Sequence, residues 1–343
     1  MFKLAKDLLL SVYLILRRYS DRQHPLLQEN IQDYLSKHFG IDGVSRMSLY
    51  RYLNELESIL PRLHRQRKGV YLDEILSDSQ SRIVSMPLIA APFLAGNAVR
   101  ELVNSIGEQL TERQHFLLLK LLYMSKCYNH AEHCDFGGNL DLIQLAIDTG
   151  RKLEFVYSDI DRDKKPSPRC NRHRSAVYKV SVYDMLYYNG FFYIVVKDDF
   201  HDNLSNYRID KMSDLVITEE RAQPVSSVPE YREKRYRTED YLLANYKMFG
   251  GTTELIKVRV RARTAQKHNY FVNILWDEFG ARIVEMRGIS DRETVAYIRV
   301  CRAGMRNFAL QFADFVEVID HDELRGEMYR LGLDMVKKYA PKS

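Results

Sequence analysis

Tyr178–Met212 reads YKVSVYDMLYYNGFFYIVVKDDFHDNLSNYRIDKM, and this stretch decides the fold. Val180, Val182, Asp184 and Leu186 alternate with Ser181, Tyr183, Met185 and Tyr187, the period of a strand with one face turned inward. Asn189-Gly190 then supplies the strongest short-range hairpin signal, because both residues tolerate the positive φ of a tight turn. Phe191–Val196 is an apolar, β-rich run, and Asp198–Asn206 is a polar loop. Tyr207-Arg208-Ile209-Asp210-Lys211 is expected to close a third strand. Three such strands suit a small antiparallel barrel or sandwich.

On these residues the segment resembles the core of a WYL domain, the Sm-like β-barrel effector module of bacterial transcription regulators. Phe192-Tyr193-Ile194 stands where that family has Trp-Tyr-Leu. Arg208–Met212 (RIDKM) stands at its Arg-hydrophobic-Asp-Arg/Lys motif. The sequence departs from the pattern twice: Phe192 replaces the tryptophan, and Ser181-Val182 replaces a common His-Pro pair. The resemblance implies an Sm/SH3-like barrel that senses nucleic acids or nucleotide-like anions. Carried over by motif position, the effector-binding candidates are Tyr157, Ser181, Tyr183, Tyr193, Arg208 and Lys211. Tyrosines beside two cations suit base stacking combined with phosphate contact. The competing assignment has Tyr193 and Tyr207 packing a core and Arg208 pairing with Asp210 or a neighbour.

The 343 residues allow two or three domains. A net charge of +5 and a pI of about 8.8 permit a nucleic-acid partner without requiring one. Cys127, Cys134, Cys170 and Cys301 are sparse and scattered, which points to reduced thiols in a cytoplasm. No stretch has the length and apolarity of a membrane span, and the N-terminus lacks the cleavage pattern of a signal peptide.

In the first third, Leu4, Leu8, Val12, Ile15 and Tyr19 mark one amphipathic helix, and Leu27 to Phe39 a second that Gly40 caps. Ser45 is an N-cap for a third helix in which Leu49, Leu53, Leu56 and Leu60 face inward. Arg46, Met47, Tyr50, Arg51 and Asn54 remain outside. Arg62–Tyr71 is basic, with a hairpin tip at Lys68-Gly69. This is the pattern of a winged helix-turn-helix; the bland alternative is a helical bundle with a basic hairpin. SRMSLYRYLNEL also resembles the recognition helix found ahead of WYL domains. The candidates for the major groove are Arg46, Ser48, Tyr50, Arg51 and Asn54, and those for phosphate contact are Arg65, Arg67 and Lys68.

The remainder divides as follows. Ser77–Arg82 is polar, and Met86–Met124 is a helical connector that contributes to a dimer contact, with Pro87 and Pro92 disrupting its start. Cys127, His130, His133 and Cys134 lie close together, but their spacing does not match paired zinc-ligand blocks, so no metal is assigned. Asn139–Gly150 is a helix feeding a strand over Lys152–Tyr157, followed by a basic loop, KKPSPRCNRHR. Asp159, Asp161 and Asp163 lack the glycine and closing glutamate of a calcium loop. After a linker near Gln223–Glu230 and a helix over Thr238–Phe249, the pattern is βαββαβ, with a helix over Ala265–Leu275 and Trp276 just past it. That order is ferredoxin-like and resembles the extension that accompanies WYL domains.

The expected architecture is multidomain α+β. It has a winged helix-turn-helix at 1–75, a connector at 76–138, the barrel at 139–222, a linker with a helix at 223–249 and a ferredoxin-like domain at 250–343. No catalytic signature or cofactor motif stands out. The expected function is a cytoplasmic, homodimeric, ligand-responsive transcription regulator that binds a double-stranded operator and a single-stranded nucleic acid or nucleotide effector. The alternative is an accessory protein that binds single-stranded RNA or DNA to modulate a nucleic-acid machine such as a defence system.

Overall fold

The computed structural model describes residues 2–131, 134–163, 165–170, 175–199 and 201–340, without the side chains of residues 2–7. Contacts divide the chain into two compact units, Met1–Phe136 and Gly137–Ser343. The architecture is α+β, with a helical N-terminal region and two larger β-sheets after it.

The first unit opens with α1 (Phe2–Tyr19), α2 (Gln28–Phe39) and α3 (Arg46–Ile59). Val12, Ile15, Leu16, Ile31, Leu35, Leu49 and Leu53 are essentially fully buried between them. Each such side chain contributes about 1.5–3 kcal/mol over exposure. Gly40 ends α2 at φ 62°, where a side chain would be strained. A short hairpin follows, β1 (Leu63–Gln66) and β2 (Gly69–Leu72). It is stitched to the α1–α2 connection by a reciprocal backbone pair, Leu26 N–H to Val70 O and Val70 N–H to Leu26 O, both 2.8 Å. Gly69 makes that approach possible: at φ 134°, a Cβ there would stand 2.4 Å from the Leu26 carbonyl oxygen.

Helices α4 (Asp78–Ile89), α5 (Gly96–Glu108) and α6 (Glu112–Leu121) complete the unit. The polar stretch 77–82 opens α4, and Ser77 and Gln80 cap the helix reciprocally. Pro87, expected to disrupt the start of the connector, lies inside this same helix near its end.

The second unit begins with α7 (Phe136–Thr149), which Gly150 follows at φ 61°. An antiparallel sheet follows, with strands β3 (Arg151–Ile160), β4 (Pro166–Pro168), β5 (Val177–Tyr188), β6 (Phe191–Asp198) and β7 (Ser205–Arg208) in the order β4-β3-β5-β6-β7. A further strand, β8 (Met212–Arg221), pairs with β3. Asn189 and Gly190 both adopt positive φ, 48° and 82°, as a type I′ hairpin requires. The third strand differs from expectation. It stops at Arg208, and Ile209–Lys211 form a 3-10 turn that redirects the chain into β8. Alternation along β5 is interrupted by a bulge between Val182 and Asp184.

The stretch expected as a linker is packed. Val228, Tyr231 and Tyr241 bury against Leu186 and Val195 on one face of the sheet, from 3-10 turns and α8 (Thr238–Ala244). The chain then forms β9 (Thr253–Arg261), α9 (Ala265–Phe279), β10 (Ile283–Ser290), β11 (Glu293–Cys301), α10 (Arg302–Gln311), β12 (Val316–Val318) and α11 (Asp322–Tyr339). Its strands run in the order β10-β11-β9-β12, all antiparallel. Ile256, Val258 and Val260 alternate into the core shared with α9 and α10. Trp276 lies within α9, not beyond it, because the helix continues to Phe279 to bury that ring.

Candidate nucleic-acid interface

On α3 the Ser45 hydroxyl oxygen accepts the Ser48 backbone N–H at 3.1 Å, fixing where the helix starts. Leu49, Tyr52, Leu53 and Leu56 turn inward. Arg46, Met47, Tyr50, Arg51 and Asn54 are exposed, Met47 to 80%. The outer face is therefore the one expected, but its cations are not equivalent. Arg46 pairs with Glu29 at 2.5 Å. Arg65, on β1, reaches back to Glu57 at 3.0 Å, donates to Asn54 Oδ1 at 2.6 Å and lies 5.0 Å above the Tyr50 ring. Arg65 thus joins the hairpin to α3. Arg67 and Lys68 stand exposed at the hairpin tip and make no ion pair among the described residues.

In the larger sheet, the six effector-binding candidates fall in three places. Tyr157 lies inside, in a cluster with Phe155, Tyr178 and Tyr207 whose rings contact at centroid distances of 5.1–6.4 Å. Burial pushes its phenol up to about 12. At the rim of that cluster, Lys211 Nζ donates to Asp159 Oδ1 at 2.8 Å, and Arg169 donates to Asp159 Oδ2 at 2.6 and 3.0 Å. These two cations, Lys211 first, hold the Asp159 carboxyl below the usual range.

Arg208 lies opposite Tyr193 in the ladder, so the two share a face with Leu186 and Val195. Its guanidinium sits 3.5 Å over the Phe191 ring and bonds Asp210 at 2.6 and 3.1 Å. Burial disfavours that charge, and the Asp210 carboxylate more than offsets it. Ser181 and Tyr183 form the third place, further along the same face. Ser181 is 1% exposed, and its oxygen accepts the Gln223 N–H at 2.9 Å. Burial raises the Tyr183 phenol.

The Arg208–Asp210 pair is the one the competing assignment expected. The Asp159 carboxylate is the neighbour that sequence reading missed, because nothing local ties it to Lys211. Asp161 serves its own turn, accepting N–H groups of Asp163 and Lys165 at 2.8 and 2.9 Å.

His130 directs both ring nitrogens at carbonyl oxygens, Ala91 at 3.1 Å and Ser125 at 2.9 Å. His133 lies outside the described residues, as do Lys164, Arg172, His173 and Arg174 of the basic loop. Among the described residues no three His, Cys, Asp or Glu side chains converge as a metal site. No described helix is long and apolar enough to cross a membrane.

Residues 138–217 match the family model described as the WYL domain. No curated protein matches the chain. Among solved structures, the chain is similar to Proteasome accessory factor B/C (PafBC) of Arthrobacter aurescens, at 16% identity and a TM-score of 0.28, over 97% of this chain and 49% of that one. It is also similar to a structure titled as a CRISPR Cas-related protein, at 15% identity and a TM-score of 0.38, over 98% of this chain and 85% of that one. The chain thus spans about half the length of the PafBC chain. It is a WYL-domain-containing protein.

Proposed function

We propose that this WYL-domain-containing protein is a ligand-responsive, DNA-binding transcription regulator. In this reading residues 1–75 are a winged helix-turn-helix, 139–222 an Sm/SH3-like barrel and 250–343 a ferredoxin-like domain. The observation that carries it is the outer face of α3. A capped helix presents Arg51, Tyr50 and Asn54 to solvent, and a hairpin braced against that helix by Arg65 presents Arg67 and Lys68. The first arrangement suits base edges in a major groove; the second suits phosphates.

The effector is a single-stranded nucleic acid or nucleotide-like anion. Arg208, stacked on Phe191 beside Tyr193, offers a flat cationic surface for base and phosphate. A single winged helix reads too few base pairs for high selectivity, so the working form is a homodimer on a pseudo-palindromic operator. An effector that binds two states unequally then changes operator affinity, and operator changes effector affinity by the same factor.

The test is a duplex-binding titration against genomic fragments, with and without short oligonucleotides. Footprinted duplex whose affinity shifts with effector supports the reading. Binding of single strands with no protected duplex would instead favour an accessory protein acting on a nucleic-acid machine.

A further inference from the structure

Directly opposite residues on neighbouring strands share a face of the sheet. Lys152, Ser181 and Lys197 lie opposite one another across β3, β5 and β6, and so form one row. All three are at least nine-tenths buried, at 7%, 1% and 9% exposure. Two ammonium groups separated by one serine repel each other, and each costs free energy to bury unless it is paired.

Lys152 is paired. Its Nζ donates to both oxygens of Asp199, at 2.8 and 2.9 Å, and lies 3.3 Å from Glu220. Lys197 has no carboxylate among the described residues. Its ammonium makes one long hydrogen bond, 3.4 Å, to the backbone oxygen of Asp198. The Asp198 carboxylate is engaged elsewhere, by the His201 backbone N–H at 2.6 Å and Nδ1 at 2.5 Å. Lysine stems often run along apolar surface to bring the charge to water, but Lys197 as a whole is only 9% exposed.

Two hydroxyls beside this row are also under-used. Ser181 accepts from Gln223, which leaves its own proton to donate. The Tyr183 hydroxyl is buried near those of Ser181 and Ser227 and makes no well-formed hydrogen bond. An ammonium without a carboxylate partner among the described residues and two buried hydroxyls thus lie on one row and beside it, with donors to spare. The complement to such a set is a compact oxyanion.

We infer that Lys197, Ser181 and Tyr183 seat a terminal phosphate of the effector. This rests on the reading of the WYL domain as a nucleic-acid sensor. A chain end can enter a buried seat, whereas a continuing strand must run along open surface. Tyr193, Phe191 and Arg208 lie further along the same face and are placed to stack the adjoining base.

The experiment titrates the full chain with one short single strand carrying a 5′-phosphate, a 3′-phosphate or neither, and separately with inorganic phosphate. One phosphorylated end should bind at least about tenfold tighter than the unphosphorylated strand, the size of one charged hydrogen bond. Lys197→Met should erase that preference and leave the unphosphorylated strand unaffected. Inorganic phosphate should raise the Tm of the natural protein and not that of Lys197→Met. Ser181→Ala, a smaller change, should reduce the preference severalfold and covers the case in which Lys197→Met fails to fold.

Equal binding of all three strands, with phosphate leaving Tm unmoved, would overturn the seat while leaving the sensor reading intact. A Lys197-dependent response to phosphate with no strand bound would keep the seat and overturn the sensor reading. A phosphate preference that survives both substitutions would place the phosphate elsewhere and overturn the assignment.

Discussion

The hairpin tip and the larger sheet both carry cations, but they hold them differently. Arg67 and Lys68 stand in solvent without ion pairs among the described residues, whereas Arg208 sits on Asp210, Lys211 and Arg169 share Asp159, and Lys152 sits on Asp199. An unpaired cation gives up only condensed counterions when it meets a phosphate, so it binds any duplex and does so best at low salt. A paired cation must exchange one anion for another. Only a ligand with better geometry than the resident carboxylate gains from that exchange, and this favours selectivity over reach.

The largest effect should come from the hairpin's attachment. Gly69→Val places a side chain into the Leu26 carbonyl and should dislodge the hairpin. Duplex binding should fall below detection in a mobility-shift titration, while effector binding persists. Joint loss of both activities would show that the two regions are not separable. The double substitution Arg67→Ala with Lys68→Ala should weaken all duplexes by at least about tenfold and lower the slope of log affinity against log salt by about two. An unchanged slope would mean that neither residue meets phosphate.

On the sheet, Arg208→Ala should reduce effector affinity by about tenfold, and Asp210→Asn should raise it severalfold by freeing the guanidinium. If Asp210→Asn weakened binding instead, the pair would be scaffolding and not a displaceable gate. The smallest effect concerns pH. Asp159 is held below its ordinary value of 3.8, chiefly by Lys211 and then Arg169. A depressed carboxyl stabilises the fold above its unfolded value, and this contribution is lost as pH falls through the folded value. The stability gap between the natural protein and Asp159→Asn should therefore be present at pH 6 and shrink as pH falls below the ordinary 3.8 through the lowered folded value.

Legibility in the sequence followed periodicity. The strands around Asn189-Gly190, the inward leucines of α3 and the βαββαβ order all repeat with a period, and each matches the structure. Arg208–Lys211 was misread because four alternating residues fit a strand or a 3-10 turn equally well, and Ile209 is buried in either. The cover made by Val228, Tyr231 and Tyr241 was missed because irregular turns bury aromatics without a repeat. Ser77-x-x-Gln80 did carry a start signal for α4, hidden by the polarity around it. Among the site residues, those on α3 were legible from one helix face. The sheet candidates came from four strands and a turn, and only the ladder register shows that Tyr157 points inward while Tyr193 and Arg208 share the opposite face.

The reciprocal bond between Leu26 and Val70 also serves as a built-in reporter. Both amide protons are held by the same pair of carbonyls, so both become exposed together when the hairpin lifts from the helices. Their deuterium uptake measures that opening as a free energy, independently of any binding assay. A duplex gripping the hairpin should slow uptake at both amides in parallel. An effector that acts by loosening the hairpin should speed both.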